Sequence, residues 1–334
     1  MNYIGSKYKL LSFIKETVYS IVGHNLSNMI FCDLFAGTGV VGRLFKKEVK
    51  KVISNDIEYY SYVLNKNYIE NHINIDYARF LKELNEIIPF ENGLIYNNYC
   101  SGSGSGRQYF TDENGKKIDA IRRQIGVWVK QKKINKSIYF FLVASLLEAA
   151  DKIANTASIY GAFLKSIKQS ALKDIVLEPA FFEVNNNRHK VYNKDSNKLI
   201  KEISGDILYL DPPYNTRQYG ANYHLLNTIS KYDNFVPRGK TGLRDYKKSN
   251  YCIKRNVKES FEEIIKDAQF RYIFLSYNNE GLMNIKEIKV IMEKYGKYGV
   301  VKQKYQRFKS DKTENRNYKS EHTYEFLHIL EKKG

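Results

Sequence analysis

The 334-residue sequence predicts an α/β fold: a mixed, largely parallel sheet with helices on both faces, interrupted by an inserted, mainly helical segment. Three observations predict it. The run Ile207, Leu208, Tyr209 and Leu210 has the continuity of a strand buried on both faces. Strand, turn and helix patterns alternate at both ends of the chain, as right-handed βαβ crossovers require. From about residue 97 to 190 that alternation stops, and the apolar spacing becomes helical.

In chain order, MNYIGSKYKLLSFIKETV predicts a helix from near Ser6, with Leu10, Leu11, Phe13 and Ile14 on one face. NMIFCDLFAGTGVVGRLFKK reads as a strand to Phe35, a glycine-rich turn, and a helix carrying Val40, Val41, Leu44 and Phe45. KKVISNDI predicts a second strand and EYYSYVLNKNYIENHI a second helix. CSGSGSG is expected to be a mobile loop. The helices IDAIRRQIGVWVKQKK and KSIYFFLVASLLEAADKIA follow. A structureless stretch of roughly ninety residues would be out of place here, so a helical subdomain is expected. The α/β rhythm resumes with HKVYNKD, SNKLIKEI and GDILYLDPPY. After a basic segment come the helix VKESFEEIIKDA, the strand YIFLSYN, the helix IKEIKVIMEKYG, and terminal strands around KYGVVKQKYQRFKS and YEFLHILEK. The expected division is 1–96, 97–190 and 191–334, the first and last forming one catalytic domain.

Composition narrows the function. Lys and Arg number 54 against 36 Asp and Glu, a net charge of +18 that points to a polyanion, most often nucleic acid. Cys32, Cys100 and Cys252 form no CxxC pair, which argues against a disulfide framework or zinc site and fits a reducing compartment. The six histidines show no metal-ligand spacing, so no metal is expected. Neither a signal-like start nor a membrane-length apolar run is present, and a cytoplasmic location is expected.

Gly37, Gly39 and Gly42 have G-x-G-x-x-G spacing between strand and helix, which lets a backbone approach a ligand closely. That spacing alone serves a dinucleotide, a flavin or S-adenosylmethionine. Asp56 ends the next strand, where a carboxylate accepts from ribose hydroxyls. Asp33 precedes the loop; it suits the cationic amine of a methionine moiety and would repel a pyrophosphate.

Asp211 follows the apolar run and is succeeded by Pro212, Pro213 and Tyr214. Proline fixes its own φ and extends the residue before it. Asp211 and the Pro212 carbonyl thus become two rigid acceptors beside an aromatic ring. Such a pair can take both N–H bonds of an amine conjugated to a heterocycle and aim its lone pair at an electrophile, while the ring stacks on the base.

DPPY with DLFAGTG resembles the N6-adenine DNA methyltransferases, specifically the group of DNA adenine methylase and many restriction–modification enzymes. NYIGSKYKLL is similar to that group's opening cofactor motif, with tyrosine where DNA adenine methylase carries tryptophan. SNDI matches its acidic motif through Asp56, and VYNKDS the motif whose acidic residue approaches the cofactor's adenine. FLSYNNEG and YQRFKSDK resemble weaker motifs lining the target-base pocket. The motif order also matches, and the resemblance covers nearly the whole chain. It implies a Rossmann-like methyltransferase sheet, S-adenosylmethionine as cofactor, and a flipped adenine in double-stranded DNA as substrate. It further implies a target-recognition insertion and a cognate restriction endonuclease as functional partner; a monomer is expected. The implied cofactor residues are Tyr3, Lys7, Asp33, Phe35, Gly37, Gly39, Asp56, Asp195 and Asp211; the catalytic residues are Asp211, Pro212 and Tyr214.

Expected DNA contacts are Arg122, Arg123 and Lys165 in the insertion, Arg217 and Tyr219 after DPPY, and Lys247 and Lys248 in a run carrying seven Lys/Arg between 238 and 255. RNA adenine or cytosine-N4 methylation, or a catalytically dead DNA-binding module, are the alternatives. An intact DPPY disfavours the last.

Overall fold

The chain's structure, a computed structural model, describes residues 6–89, 91–306 and 322–333. Seven strands among them form one sheet: β1 (Ile30–Asp33), β2 (Lys51–Asn55), β3 (Lys190–Tyr192), β4 (Ser204–Leu210), β5 (Gln269–Asn278), β6 (Gly296–Gln306) and β7 (His322–Lys332). Their order is β3-β2-β1-β4-β5-β7-β6. The first five are parallel to one another, and β7 runs antiparallel to both β5 and β6. This is the Rossmann-like α/β sheet expected from the sequence.

Its connectivity determines where ligands can bind. The chain steps outward from β1 through β2 to β3, then returns to the other side of β1 as β4. The carboxyl ends of β1 and β4 therefore flank the switch point, where open α/β sheets bind their ligands. Residues Ile207 to Leu210 are at most 1% exposed, so this strand is covered on both faces. Phe261, Ile264, Ile288, Met292 and Leu330 join it in one apolar cluster, and each side chain buried this fully contributes about 1.5–3 kcal/mol. The helix Ile285–Glu293 begins with a reciprocal capping box between Asn284 and Glu287.

Two compact units divide the chain. The sheet unit comprises Gly5–Ile57, Asn185–Gln218 and Lys248–Gly334, and the helical unit includes Glu58–Val184 and Tyr219–Lys247. The helical unit takes in more chain than the expected 97–190. The helix Tyr59–Asn65 reads in sequence as a crossover helix of the sheet, yet its Tyr60, Val63 and Leu64 bury among Phe141, Leu146, Leu225 and Ile229. Asn227 fixes its start, accepting from the Tyr60 N–H at 3.0 Å and donating to Glu58 Oε2 at 2.6 Å.

The main helices of this unit are Asp112–Lys130 and Lys136–Ile153, capped by the side chains of Thr111 and Asn135. Asp119 projects from the first and accepts the Ile95 and Tyr96 N–H groups at 2.9 and 2.8 Å. A Cβ on Gly93 would lie 2.4 Å from Asp119 Cγ, so this close approach requires glycine. The serine–glycine stretch expected to be mobile is a hydrogen-bonded turn: Gly102 N–H reaches Asp112 Oδ1 at 2.7 Å, and Gly104 and Gly106 supply positive φ. Residues 154–168 contain no helix; Asn155 closes that loop through Gln108, Leu164 and Lys168.

Candidate active site

β1 ends in Asp33, which pairs in register with Tyr209 of β4. Asp211 therefore emerges two residues further along the neighbouring strand, on the same carboxyl edge. Asp33 is 1% exposed; its Oδ2 accepts the Gly42 N–H at 3.2 Å, and its Oδ1 is buried with no hydrogen-bond partner among the described residues. Burial pushes its carboxyl up to about 8, with nearby Asp211 adding to the shift, Gly42 opposing it and Asp56 adding a little more. A buried acceptor of this kind is chemically suited to a cationic donor.

Between Asp33 and the helix Val40–Phe45 lies the glycine turn. Gly37 and Gly39 have φ of 52° and 78°, conformations that a side chain would strain. Asp56, just beyond β2, receives the Gly37 N–H on Oδ2 at 2.8 Å, tying the acidic residue to the turn. Phe35 is half-buried and meets Tyr251 edge-on at 4.9 Å between centroids. Asp195 is exposed after β3, and its Oδ1 caps the short helix Ser196–Leu199 through Asn197 and Lys198 N–H. Tyr3 lies outside the described residues, as does most of YQRFKSDK.

On the other side of the switch point, Asp211 is 18% exposed and Pro212 is buried. Lys7, 4% exposed, places Nζ 3.0 Å from Asp211 Oδ1 and 2.9 Å from Glu325 Oε1. Burial alone would lower the Lys7 ammonium, but the two carboxylates outweigh it and hold it well above its ordinary value. Burial also lifts the Asp211 carboxyl to about 6, against the pull of Lys7 and with a push from Glu325. The Tyr214 ring stands 5.7 Å from Lys7 Nζ and packs edge-on to Tyr277 at 6.3 Å. Its carbonyl accepts the Leu282 N–H at 2.9 Å, which anchors the turn to the segment after β5.

Glu325 and its partner Ser276, whose hydroxyl donates to Oε1 at 2.6 Å, escaped the sequence reading. A hint existed. Glu325 shares strand parity with Leu327 and Ile329, both buried, so a carboxylate there faces inward. Its pairing with Lys7, far away in the sequence, left no local pattern.

A model of the D12 class N6 adenine-specific DNA methyltransferases matches residues 3–293. The chain belongs to that family. It is 61% identical over 332 residues to the type II methyltransferase M.NlaIII of Neisseria lactamica, covering 99% of both chains. It is 40% identical over 325 residues to M.FokI of Planomicrobium okeanokoites, covering 93% of this chain and 50% of that one. With M.CviAII of Paramecium bursaria Chlorella virus 1 it shares 36% over 320 residues, 93% of each. The protein is thus an adenine-N6 DNA methyltransferase, and in this D12 methyltransferase Asp33 and Asp211 stand on the same carboxyl edge of neighbouring strands.

The expected DNA contacts fare unevenly in this methyltransferase. Arg122 is 6% exposed and donates to the Ile229 and Ser230 carbonyls at 2.8 and 3.0 Å, so it closes the end of helix His224–Lys231 instead of facing a phosphate. Arg123 is engaged with Glu91 and the Asn92 carbonyl. Tyr219 is half-buried and stacks on Tyr223. Lys165, Arg217, Lys247 and Lys248 are exposed. Within the basic run, Arg244 is buried against Asp233 and Arg238 pairs with Asp245. No helix among the described residues is long and apolar enough to cross a membrane.

Proposed function

We propose that the chain transfers the methyl group of S-adenosylmethionine to N6 of an adenine flipped out of double-stranded DNA, with Asp211, Pro212 and Tyr214 as the reacting edge. The observation that carries this reading is the placement of Asp211 beyond the Asp33–Tyr209 register pair, two carboxylates at one switch point with different environments. S-adenosylmethionine supplies a methyl group made electrophilic by its sulfonium. The buried Oδ1 of Asp33, without a hydrogen-bond partner among the described residues, fits that molecule's ammonium group. The glycine turn admits its backbone-facing side; Asp56 serves the ribose, and Asp195 and Phe35 the adenine end. Tyr3 belongs with the methionine end by family resemblance.

Adenine N6 is a poor nucleophile because its lone pair is delocalised into the ring. The Asp211 carboxylate and the Pro212 carbonyl each take one N–H, drawing the nitrogen toward tetrahedral geometry. With its carboxyl at about 6, Asp211 is mostly ionised at neutral pH yet basic enough to receive the proton released as the N–CH3 bond forms. Lys7 orients Asp211 through Oδ1.

The names of the relatives support a role as the modification half of a type II restriction system, whose endonuclease shares the recognition sequence without requiring contact. One reacting edge among the described residues supports action as a monomer, and the free cysteines Cys32, Cys100 and Cys252 support a reducing, cytoplasmic location. The helical unit, with exposed Lys165, supplies target recognition.

Tyr214 tests base flipping. Tyr214→Phe keeps the ring and should stay substantially active, whereas Tyr214→Ala removes a stacking platform of about 1–3 kcal/mol. With 2-aminopurine at the target position, the fluorescence rise on binding should differ between the two variants, and turnover should fall only for alanine. Equal activity and equal fluorescence would reduce Tyr214 to a packing residue.

A further inference from the structure

We propose that Glu325 is a positioning residue for methyl transfer: it shares Lys7 with Asp211 and so keeps Asp211 a strong hydrogen-bond acceptor toward the target amine. The proposal rests on the reading of Asp211 given above.

The geometry is that of one ammonium between two carboxylates, with Lys7 Nζ 3.0 Å from Asp211 and 2.9 Å from Glu325. Glu325 is 4% exposed, and a carboxylate is costly in such a place unless it is paired. It reaches the site because β7 runs backward. Glu325 stands opposite Asn278 at the carboxyl end of β5, so an antiparallel strand delivers a residue from its beginning to the edge where the parallel strands end. Ser276 of β5, 1% exposed, holds Glu325 Oε1 at 2.6 Å.

A lone Lys7–Asp211 pair would be neutral, and the ammonium would draw charge from the oxygens that must accept from adenine. A second carboxylate leaves the trio net negative. Lys7 binds Asp211 through Oδ1, so Oδ2 is the oxygen offered to the amine. Among the described residues, the charged and titratable groups around Asp211 are Lys7 from the N-terminal segment, Asp33 of β1, Tyr209 of β4, Tyr214 after it, and Glu325 of β7. Of these, Glu325 can be neutralised without touching the glycine turn or the stacking ring.

The test is single-turnover methyl transfer as a function of pH, with S-adenosylmethionine and duplex both saturating. Glu325→Gln preserves shape and an acceptor for Ser276. The acid limb of its rate profile should move to lower pH by roughly half a unit or more, and its plateau rate should fall about three- to tenfold. Glu325→Asp, which keeps the charge, should keep the limb at the wild-type position even if the plateau drops, and it provides the comparison if the glutamine variant folds poorly. An unmoved limb in Glu325→Gln, or a limb moved to higher pH, overturns the proposal, as does a shifted limb in Glu325→Asp. Asp211→Asn separates the two levels. If it transfers methyl groups at near wild-type rate, the reading of Asp211 fails; if it is inactive while the Glu325→Gln limb stays in place, only the role of Glu325 fails.

Discussion

Asp33 is a carboxyl group that the fold favours in its neutral form, since burial pushes it up to about 8 from an ordinary 3.8. The folded protein therefore holds a proton that the unfolded chain releases between those two values. Stability from this group is fully present below the lower value and is lost as pH rises through 8. Binding a cationic amine demands the ionised form, so S-adenosylmethionine binding should expel a proton. Its affinity should rise between about pH 6 and 8, by up to about tenfold per unit. Asp33→Asn should abolish that rise and raise the melting temperature of the ligand-free protein near pH 8. Calorimetry in buffers of different ionisation enthalpy reads the proton count; a flat profile in the wild type would remove Asp33 from the amine site. Asp33 and Asp211 were legible in the sequence because each follows an uninterrupted apolar run, where a carboxylate has no structural reason to be. Glu325 was not, because its reason is an ion pair with Lys7, near the opposite end of the chain.

Helix Asp112–Lys130 shows how the same residue types divide between architecture and surface. Arg122 lies four residues after Ile118 and three before Ile125, both fully buried, so it falls on the inward stripe, while Arg123 turns away. The charge count alone grouped the two; helical spacing separates them. Removing Arg122 strands the Ile229 and Ser230 carbonyls at the end of a buried helix. Arg122→Ala should cost about 2–4 kcal/mol of stability, combining lost charge-assisted hydrogen bonds with unsatisfied acceptors. It should leave the salt dependence of DNA binding unchanged. Lys247→Ala with Lys248→Ala should do the reverse, sparing stability and lowering the log–log salt slope by about 0.9 for each phosphate no longer neutralised. Denaturant melts and titrations at several salt concentrations give both numbers for each protein.

At the scale of the whole chain, the sheet was readable because strand, turn and helix alternate around glycines and carboxylates whose positions follow from the topology. The membership of the helical unit was not. A crossover helix and a helix buried in another core carry the same apolar spacing, and only the packing of Tyr60, Val63 and Leu64 among residues of distant helices distinguishes them. The net charge of +18 identified a polyanion, and the family match makes it DNA methylated at adenine N6. The most direct measurement is long-read sequencing of DNA from cells expressing the wild type or Asp211→Ala at equal levels. The wild type should modify adenines within one short sequence context, and the variant should leave that context unmodified. Equal modification by the two proteins, or wild-type DNA without modified adenines, would contradict an Asp211-centred adenine methyltransferase.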